Sequence, residues 1–292
     1  MMPFPLATSK RTDPRLGWRP DLPDLRDHYL AAVQPTEAPP LPTHTTNYAH
    51  NASWLKPYNQ LDIGSCTANA TERAHRIMIR RTPGGLHDFD GSRLAHYYWT
   101  RVIEGTQSWD SGATIRDAFK VLTKMGVAPE RLWPYDVAKL ADAPTADVVK
   151  AAAKRLRVEY LRVAQTPTAI KQVLAAKHPI VFGMSVFEST MKGMEDTGFV
   201  PVPTEGESML GGHAICAEDY DDVTLDESMV IVANSWGDNV GIGAATKEAA
   251  ALREKMKATH NVALLDGYFV MPMRMLCNTD IADDLWTIRR AA

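Results

Sequence analysis

Covalent attack on a carbonyl needs a nucleophile, a base and a group that orients the base, and three stretches of this sequence offer one of each. In Gln60-Leu61-Asp62-Ile63-Gly64-Ser65-Cys66 the cysteine opens a run with Ala70, Ala74, Ile77 and Met78 at helical spacing. The first turn of a helix has amide N–H groups without intrahelical partners and a partial positive charge, and both favour thiolate over thiol. Cys66 is thus a candidate nucleophile, expected to ionise below the ordinary thiol value of about 8.5. Position alone fits a small core residue at the head of an apolar stripe equally well. His213 follows Gly211-Gly212 and begins the apolar run Ala214-Ile215-Cys216-Ala217, while the next run, Met229 to Ala233, ends at Asn234. If Tyr220 to Glu227 turns the chain, the two runs pair antiparallel and His213 meets Asn234. An Asn amide oxygen beside the imidazole would fix its tautomer and leave the other ring nitrogen for the sulfur, with Trp236 shielding that bond from water.

These side chains need elements to position them. Spacing predicts helices over Ser65–Arg80, with Ser65 placed to cap, over Ser92–Ile103, over Thr114–Met125, closed by Gly126, and over Ala146–Leu156. Short β-branched or aromatic runs at Arg157–Val163, Ile180–Phe187, Ala214–Ala217, Met229–Ala233 and Tyr268–Met271 predict strands. A helical half (about 60–130) is followed by a β-rich half (about 157–290), an α+β arrangement with a cleft expected between the two. Nine of the nineteen prolines lie between Pro3 and Pro42, so residues 1–50 read as an extended Pro-rich arm and 51–292 as the folded domain. Leu16-Gly17-Trp18 gives that arm apolar anchors, which suggests a strap laid along the body.

Composition removes whole classes. The 292 residues are 45% hydrophobic and 23% charged, outside the disordered, collagenous and membrane ranges. With 32 basic against 35 acidic residues the net charge of -3 offers no field for nucleic acid or an anionic membrane, so neither is expected as a partner. No apolar run approaches a spanning helix and MMPFPLATSK lacks a signal-peptide core, which makes the cytoplasm the expected location. Cys66, Cys216 and Cys277 form neither a disulfide framework nor a metal knuckle, and no metal or cofactor is expected. Cys216 and Cys277 read as structural. His44, His50, His87 and His260 sit in ordinary surface-like settings.

Taken together, Gln60 with Gly64-Ser65-Cys66, then Gly212-His213-Ala214, then Asn234-Ser235-Trp236-Gly237 resemble, in order, the three active-site blocks of the papain-like cysteine peptidases. His213 lies 147 residues after Cys66, inside the family's spacing of roughly 130 to 150. Gly17-Trp18-Arg19-Pro20-Asp21-Leu22-Pro23-Asp24, Gly112-Ala113-Thr114-Ile115-Arg116-Asp117, Leu132-Trp133-Pro134-Tyr135-Asp136 and Gly267-Tyr268-Phe269 extend the similarity toward a bacterial or phage-type branch. The resemblance implies the two-lobe papain-like fold and peptide-bond hydrolysis. It makes Cys66 the attacking thiolate, His213 its imidazolium partner and Asn234 the orienter, with the Gln60 amide and the Cys66 N–H as the oxyanion hole. It also implies a peptide or protein substrate bound at Ser111, Gly112, Gly183, Met184, Gly212 and Trp236. Two departures are Ile63, where secreted members carry a cysteine, and Thr67, where an aromatic residue is usual. A typical long inhibitory proregion is not expected.

Between Asn234 and Gly267 the chain takes 33 residues where the resemblance to the bacterial branch implies about ten, and Ala245, Ala249, Leu252 and Met256 predict an inserted helix within about 238–265. Its alanine-rich stripe suggests a shallowly docked cover at the cleft edge. Two rival readings accompany the peptidase. In one, the chain is a catalytically silent papain-like binding module. In the other, Gly241-Ile242-Gly243-Ala244-Ala245-Thr246 between two strands loosely imitates a nucleotide-binding unit.

Overall fold

The computed structural model describes residues 11–30, 40–82, 89–154 and 158–291, so that His87 lies outside the described residues. Six strands, β1 (Val158–Arg162), β2 (Ile180–Phe187), β3 (Met209–Asp221), β4 (Met229–Ala233), β5 (Tyr268–Pro272) and β6 (Ala282–Ala291), form one sheet in the order β1-β6-β2-β3-β4-β5. Every neighbouring pair is antiparallel. The helices α1 (Asn47–Ala52), α2 (Cys66–Arg81), α3 (Arg93–Ile103), α4 (Ile115–Lys124), α5 (Ala146–Ala152), α6 (Pro167–Ala175), α7 (Glu188–Lys192), α8 (Lys247–Met256) and α9 (Met273–Leu276) complete an α+β fold.

Helix α2 is an interior helix. Among its sixteen residues only Arg76, Arg80 and Arg81 escape full burial, and the small Ala68, Ala70 and Ala74 let it lie close to its neighbours. Its lower half is wedded to the sheet by charge: Arg73 Nε donates to Glu218 of β3 at 2.5 Å, and Asn51 of α1 donates to the other Glu218 oxygen at 2.6 Å. Helices α3 and α4 flank α2 and begin at caps visible in the sequence, Ser92 accepting from Ala95 N and Thr114 from Asp117 N. Gly126 ends the second of these in the left-handed region at φ +76°.

Several expectations change in detail. Ser65 precedes α2 but does not cap it; its hydroxyl is taken by Tyr135 at 2.5 Å and by Asn69 at 3.0 Å. Helix α6, with Thr166 as cap and Pro167 in its first turn, carried a start signal that the apolar-period reading passed over. Strand β6 was hidden because Asp283-Asp284 interrupts its apolar alternation. Helix α1 forms across the expected end of the arm because the Asp219 carboxylate accepts from the Asn47 and Tyr48 amides, both at 2.7 Å, satisfying the first turn. His260 is buried and bonded to Asp221 at 2.5 Å, not a surface residue.

The segment after Trp236 is a packed element. Thr246 caps α8, and Ala249, Leu252 and Met256 join Ile242, Leu265, Tyr48, Met229, Ile231 and Val270 in one buried cluster on the outer face of β4 and β5. This corrects the shallow cover: the stripe is short, but every apolar member of α8's inner face is buried. The nucleotide-binding reading falls here as well, because Val262–Leu264 is a 3-10 turn and supplies no second strand. Leu252→Ala should lower unfolding stability by about 2–4 kcal/mol, the usual cost of emptying a buried leucine site. Replacing residues 240–261 by a short Gly-Ser linker should depress Tm by more than that single change. An unchanged Tm in the linker chain would show that the segment is not core structure.

Candidate active site

Three elements bring the predicted residues together. The N-terminus of α2 carries Cys66, the middle of β3 carries His213, and the end of β4 presents Asn234. Cys66 is packed in one buried cluster with Ala214, the strand residue that follows His213. His213 Nε2 and Asn234 Oδ1 are 2.8 Å apart, and the same Asn oxygen accepts from Ser235 N at 2.8 Å. With Nε2 donating, Nδ1 carries the free lone pair; it is buried and has no hydrogen-bond partner among the described residues. Trp236 stacks on the His213 ring at 4.6 Å between centroids, the shield expected from its position two residues after Asn234.

Gln60 is fixed on three sides. Its Oε1 accepts from Ser235 Oγ at 2.7 Å and its main-chain N–H donates to Ser235 O at 2.8 Å, which ties the loop before Cys66 to the end of β4. The remaining donor, Nε2, reaches Ile63 O at 2.8 Å and the carbonyl of Arg15 at 2.9 Å. Sequence reasoning missed the other supports of this loop. Tyr135 donates to Gln60 O at 2.8 Å, and Asp110 accepts from Gly64 N at 3.0 Å and from Tyr97 OH at 2.6 Å. Tyr97 OH in turn accepts from Gly112 N at 2.9 Å, so one carboxylate and one phenol tie the Gly112 segment to the loop before Cys66. Tyr135 stood inside a quoted motif, but no local pattern says what a tyrosine hydroxyl seventy residues away will touch.

The strap is in the cleft. Thr12 N donates to Leu210 O, Trp18 N to Gly212 O at 2.9 Å, Ala113 N to Gly17 O at 2.8 Å and Arg19 N to Ala113 O at 3.0 Å, an extended segment hydrogen-bonded to both walls. Such closeness requires glycine: a Cβ on Gly17 would overlap the carbonyl of Gly64, and one on Gly112, itself at φ +70°, would overlap the carbonyl of Gly17. Trp18 lies against Gly183, whose missing side chain is the space the indole fills. The Arg15 guanidinium rests 4.4 Å from the centre of the Trp236 ring and pairs with Asp13 and Glu195, both at 2.6 Å.

Each predicted substrate-side residue can now be located. Gly112, Gly183 and Gly212 touch the strap directly, and Trp236 lies beneath Arg15. Ser111 turns inward, bonded to Thr106 at 2.7 Å and to Gly112 O at 2.8 Å. Met184 sits opposite His213 in the β2–β3 register and is fully buried in the cluster that also receives Leu16.

Covered in this way, the site is electrically quiet. Burial pushes the Cys66 thiol up, against the lowering pull of the Ala214, Gly17 and Thr67 amides, and burial pushes His213 down to about 4 despite the Asn234 hydrogen bond. The expectation of a low thiol value therefore does not hold with the strap seated, because both groups have lost the water that would support their charges. All three cysteines are free, and no group of three or more His, Cys, Asp or Glu able to hold a metal ion occurs among the described residues. Among those residues no helix is long and apolar enough to cross a membrane.

Comparison with known proteins agrees with this geometry. The family profile described as papain family cysteine protease matches residues 100–256, a span that contains His213 and Asn234. An uncharacterized peptidase C1-like protein of Acanthamoeba polyphaga mimivirus is 33% identical over 244 residues, 80% of this chain and 70% of the relative. The crystal structure of xylellain, a cysteine protease from Xylella fastidiosa, superposes with a TM-score of 0.78 at 33% identity, covering 98% of this chain and 99% of that one. Procathepsin B S9 from Trypanosoma congolense shares the fold at 15% identity with a TM-score of 0.65, covering 95% of this chain and 87% of its own. The chain belongs to the papain family and is a cysteine-type peptidase, a hydrolase of protein or peptide substrates.

Proposed function

We propose that this peptidase cuts peptide bonds with Cys66 as nucleophile, His213 as proton carrier, Asn234 as orienter and Gln60 as an oxyanion donor. The observation that carries the reading is the Gln60 amide, which already donates to a backbone carbonyl, that of Arg15, within the same groove as the Cys66 sulfur. In the reaction, His213 takes the thiol proton and the sulfur attacks the scissile carbonyl carbon. The C=O electron pair moves to oxygen, where Gln60 Nε2 and Cys66 N–H are suited to receive the charge. Collapse of that intermediate expels the amine, which takes its proton from His213, and leaves a thioester. Water then adds to the thioester, giving up a proton to His213, and the thiolate departs. Asn234 keeps Nε2 occupied throughout, so that Nδ1 is the nitrogen that exchanges protons. An extended substrate would bind the groove as the strap does, through Gly212 O and the two main-chain groups of Ala113. Three free cysteines suit a reducing compartment such as the cytoplasm.

The strap itself, by the same reading, is a built-in blocker: substrate and strap need the same hydrogen-bonding groups. The silent binding-module alternative finds no support in the filled catalytic positions. Cys66→Ala should reduce peptide turnover by about 10⁴-fold or more while leaving the fold intact, measured on a mixed peptide library. Wild-type turnover in that variant would end the proposal. Gly17→Val, which forces the strap off Gly64, should raise the turnover of the full chain by tenfold or more, because a free groove replaces an occupied one; unchanged turnover would mean that the strap does not limit access.

A further inference from the structure

Where the strap leaves the groove it meets β6 through two acids. Asp284 on β6 is fully buried, in the left-handed region at φ +56° that Asp and Asn tolerate best among side chains other than glycine. Its Oδ2 accepts from two strap groups, Trp18 Nε1 at 3.3 Å and Asp21 N at 2.7 Å, and its Oδ1 is paired with Arg162 of β1. Asp21 returns the contact to the body: its Oδ2 accepts from Trp286 Nε1 at 3.0 Å and its Oδ1 from Arg116 N at 3.1 Å. The Asp21 N–H to Asp284 Oδ2 bond sets the two carboxyls in one buried seam, where like charges oppose one another's ionisation.

The surroundings are short of cations. Among the described residues, Arg162 and Arg116 are the positive groups that face the pair, and both are shared. Arg116 is held bidentately by Asp27 at 2.7 and 3.0 Å, and Arg162 also reaches Asp27 at 3.6 Å and Asp283 at 3.4 Å. Two guanidinium groups thus serve four carboxyls, Asp21, Asp27, Asp283 and Asp284, while Tyr160 of β1 adds only a neutral phenol whose ionisation is pushed up by burial.

We propose that Asp21 and Asp284 share one proton and form a pH-operated latch, which holds the strap in the groove in acid and loosens it as the medium turns alkaline. This rests on the reading of the strap as the segment that blocks the cleft. Burial and then the neighbouring Asp21 charge raise Asp284 to about 8, and burial raises Asp21 as well. With the strap lifted, Asp284 would face water and Arg162 and fall to the ordinary carboxylate value of about 4. The seated state therefore binds one more proton than the lifted state between those values. Its advantage is complete below about pH 4, shrinks by up to tenfold per pH unit, and is gone above about pH 8.

Hydrogen exchange of the full chain reads the latch directly. It is followed on the Leu16 to Asp21 amides, corrected for the intrinsic pH dependence of exchange, in a Cys66→Ala background that prevents self-cleavage. Protection should fall by at least tenfold between pH 5 and pH 9 when both acids are present. Asp284→Asn keeps an acceptor oxygen and the left-handed backbone but cannot titrate, so its protection should be flat across that range. Asp21→Asn, a change on the strap itself, should be flat too and serves if the Asp284 variant fails to fold. No fall in the parent chain, or the same fall in the Asn variants, would overturn the latch. Because no turnover is measured, that result would leave the role of Cys66 untouched.

Discussion

One buried ion pair sets the register on which the active site depends. Arg73 lies two turns beyond Cys66 on α2, and Glu218 lies five residues beyond His213 on β3, so their bond fixes how the nucleophile helix sits along the histidine strand. Both side chains are almost wholly removed from water, and Tyr268 and Asn51 satisfy the remaining lone pairs and protons. Such a pair adds little net stability over an apolar contact, yet removing one partner strands a charge and typically costs about 3–5 kcal/mol. That asymmetry makes it a register lock: a slip of one residue on β3 would put Glu218 on the other face and leave Arg73 alone. Cys66 and Ala214 pack in one buried cluster at the end of the same helix–strand contact.

The strap exploits the same seam. A peptide segment that covers a cysteine–histidine pair excludes water, and without water the charged form of each is the costlier one. With the strap seated, burial favours the neutral form of both the Cys66 thiol and the His213 imidazole. Three glycines, Gly17, Gly64 and Gly112, permit the close stacking of strap, nucleophile loop and wall, while Trp18, Asp21 and Arg15 supply side-chain anchors on either side of it. Closure and desolvation are thus two consequences of one contact.

Much of this was legible in the chain. Helix α2 and its neighbours followed from 3.6-residue spacing and caps, β2 and β4 from β-branched runs, and the meeting of His213 with Asn234 from a turn between two strands. The apolar anchors Leu16 and Trp18 pointed to a strap. What the strap lies on was not legible, since main-chain hydrogen bonds to Gly212 and Ala113 leave no trace in side-chain pattern. The quiet state of Cys66 was equally hidden, because a helix N-terminus argues for thiolate until burial is known. Strand β6 and the depth of α8 failed for a common reason: Asp284 and Ala249 look like surface residues, and only tertiary partners make them core.

On the proposed mechanism, lifting the strap converts a neutral thiol and imidazole into a thiolate–imidazolium pair. It is tested most directly by the pH profile of Cys66 alkylation with iodoacetamide, resolved by mass spectrometry. The wild-type chain should show slow labelling with a midpoint above the ordinary thiol value of about 8.5, and the Gly17→Val chain should show fast labelling with a midpoint well below it. Adding His213→Ala to the Gly17→Val chain should return the midpoint upward. Three coincident profiles would contradict the account, for then neither strap nor histidine governs the charge on the sulfur.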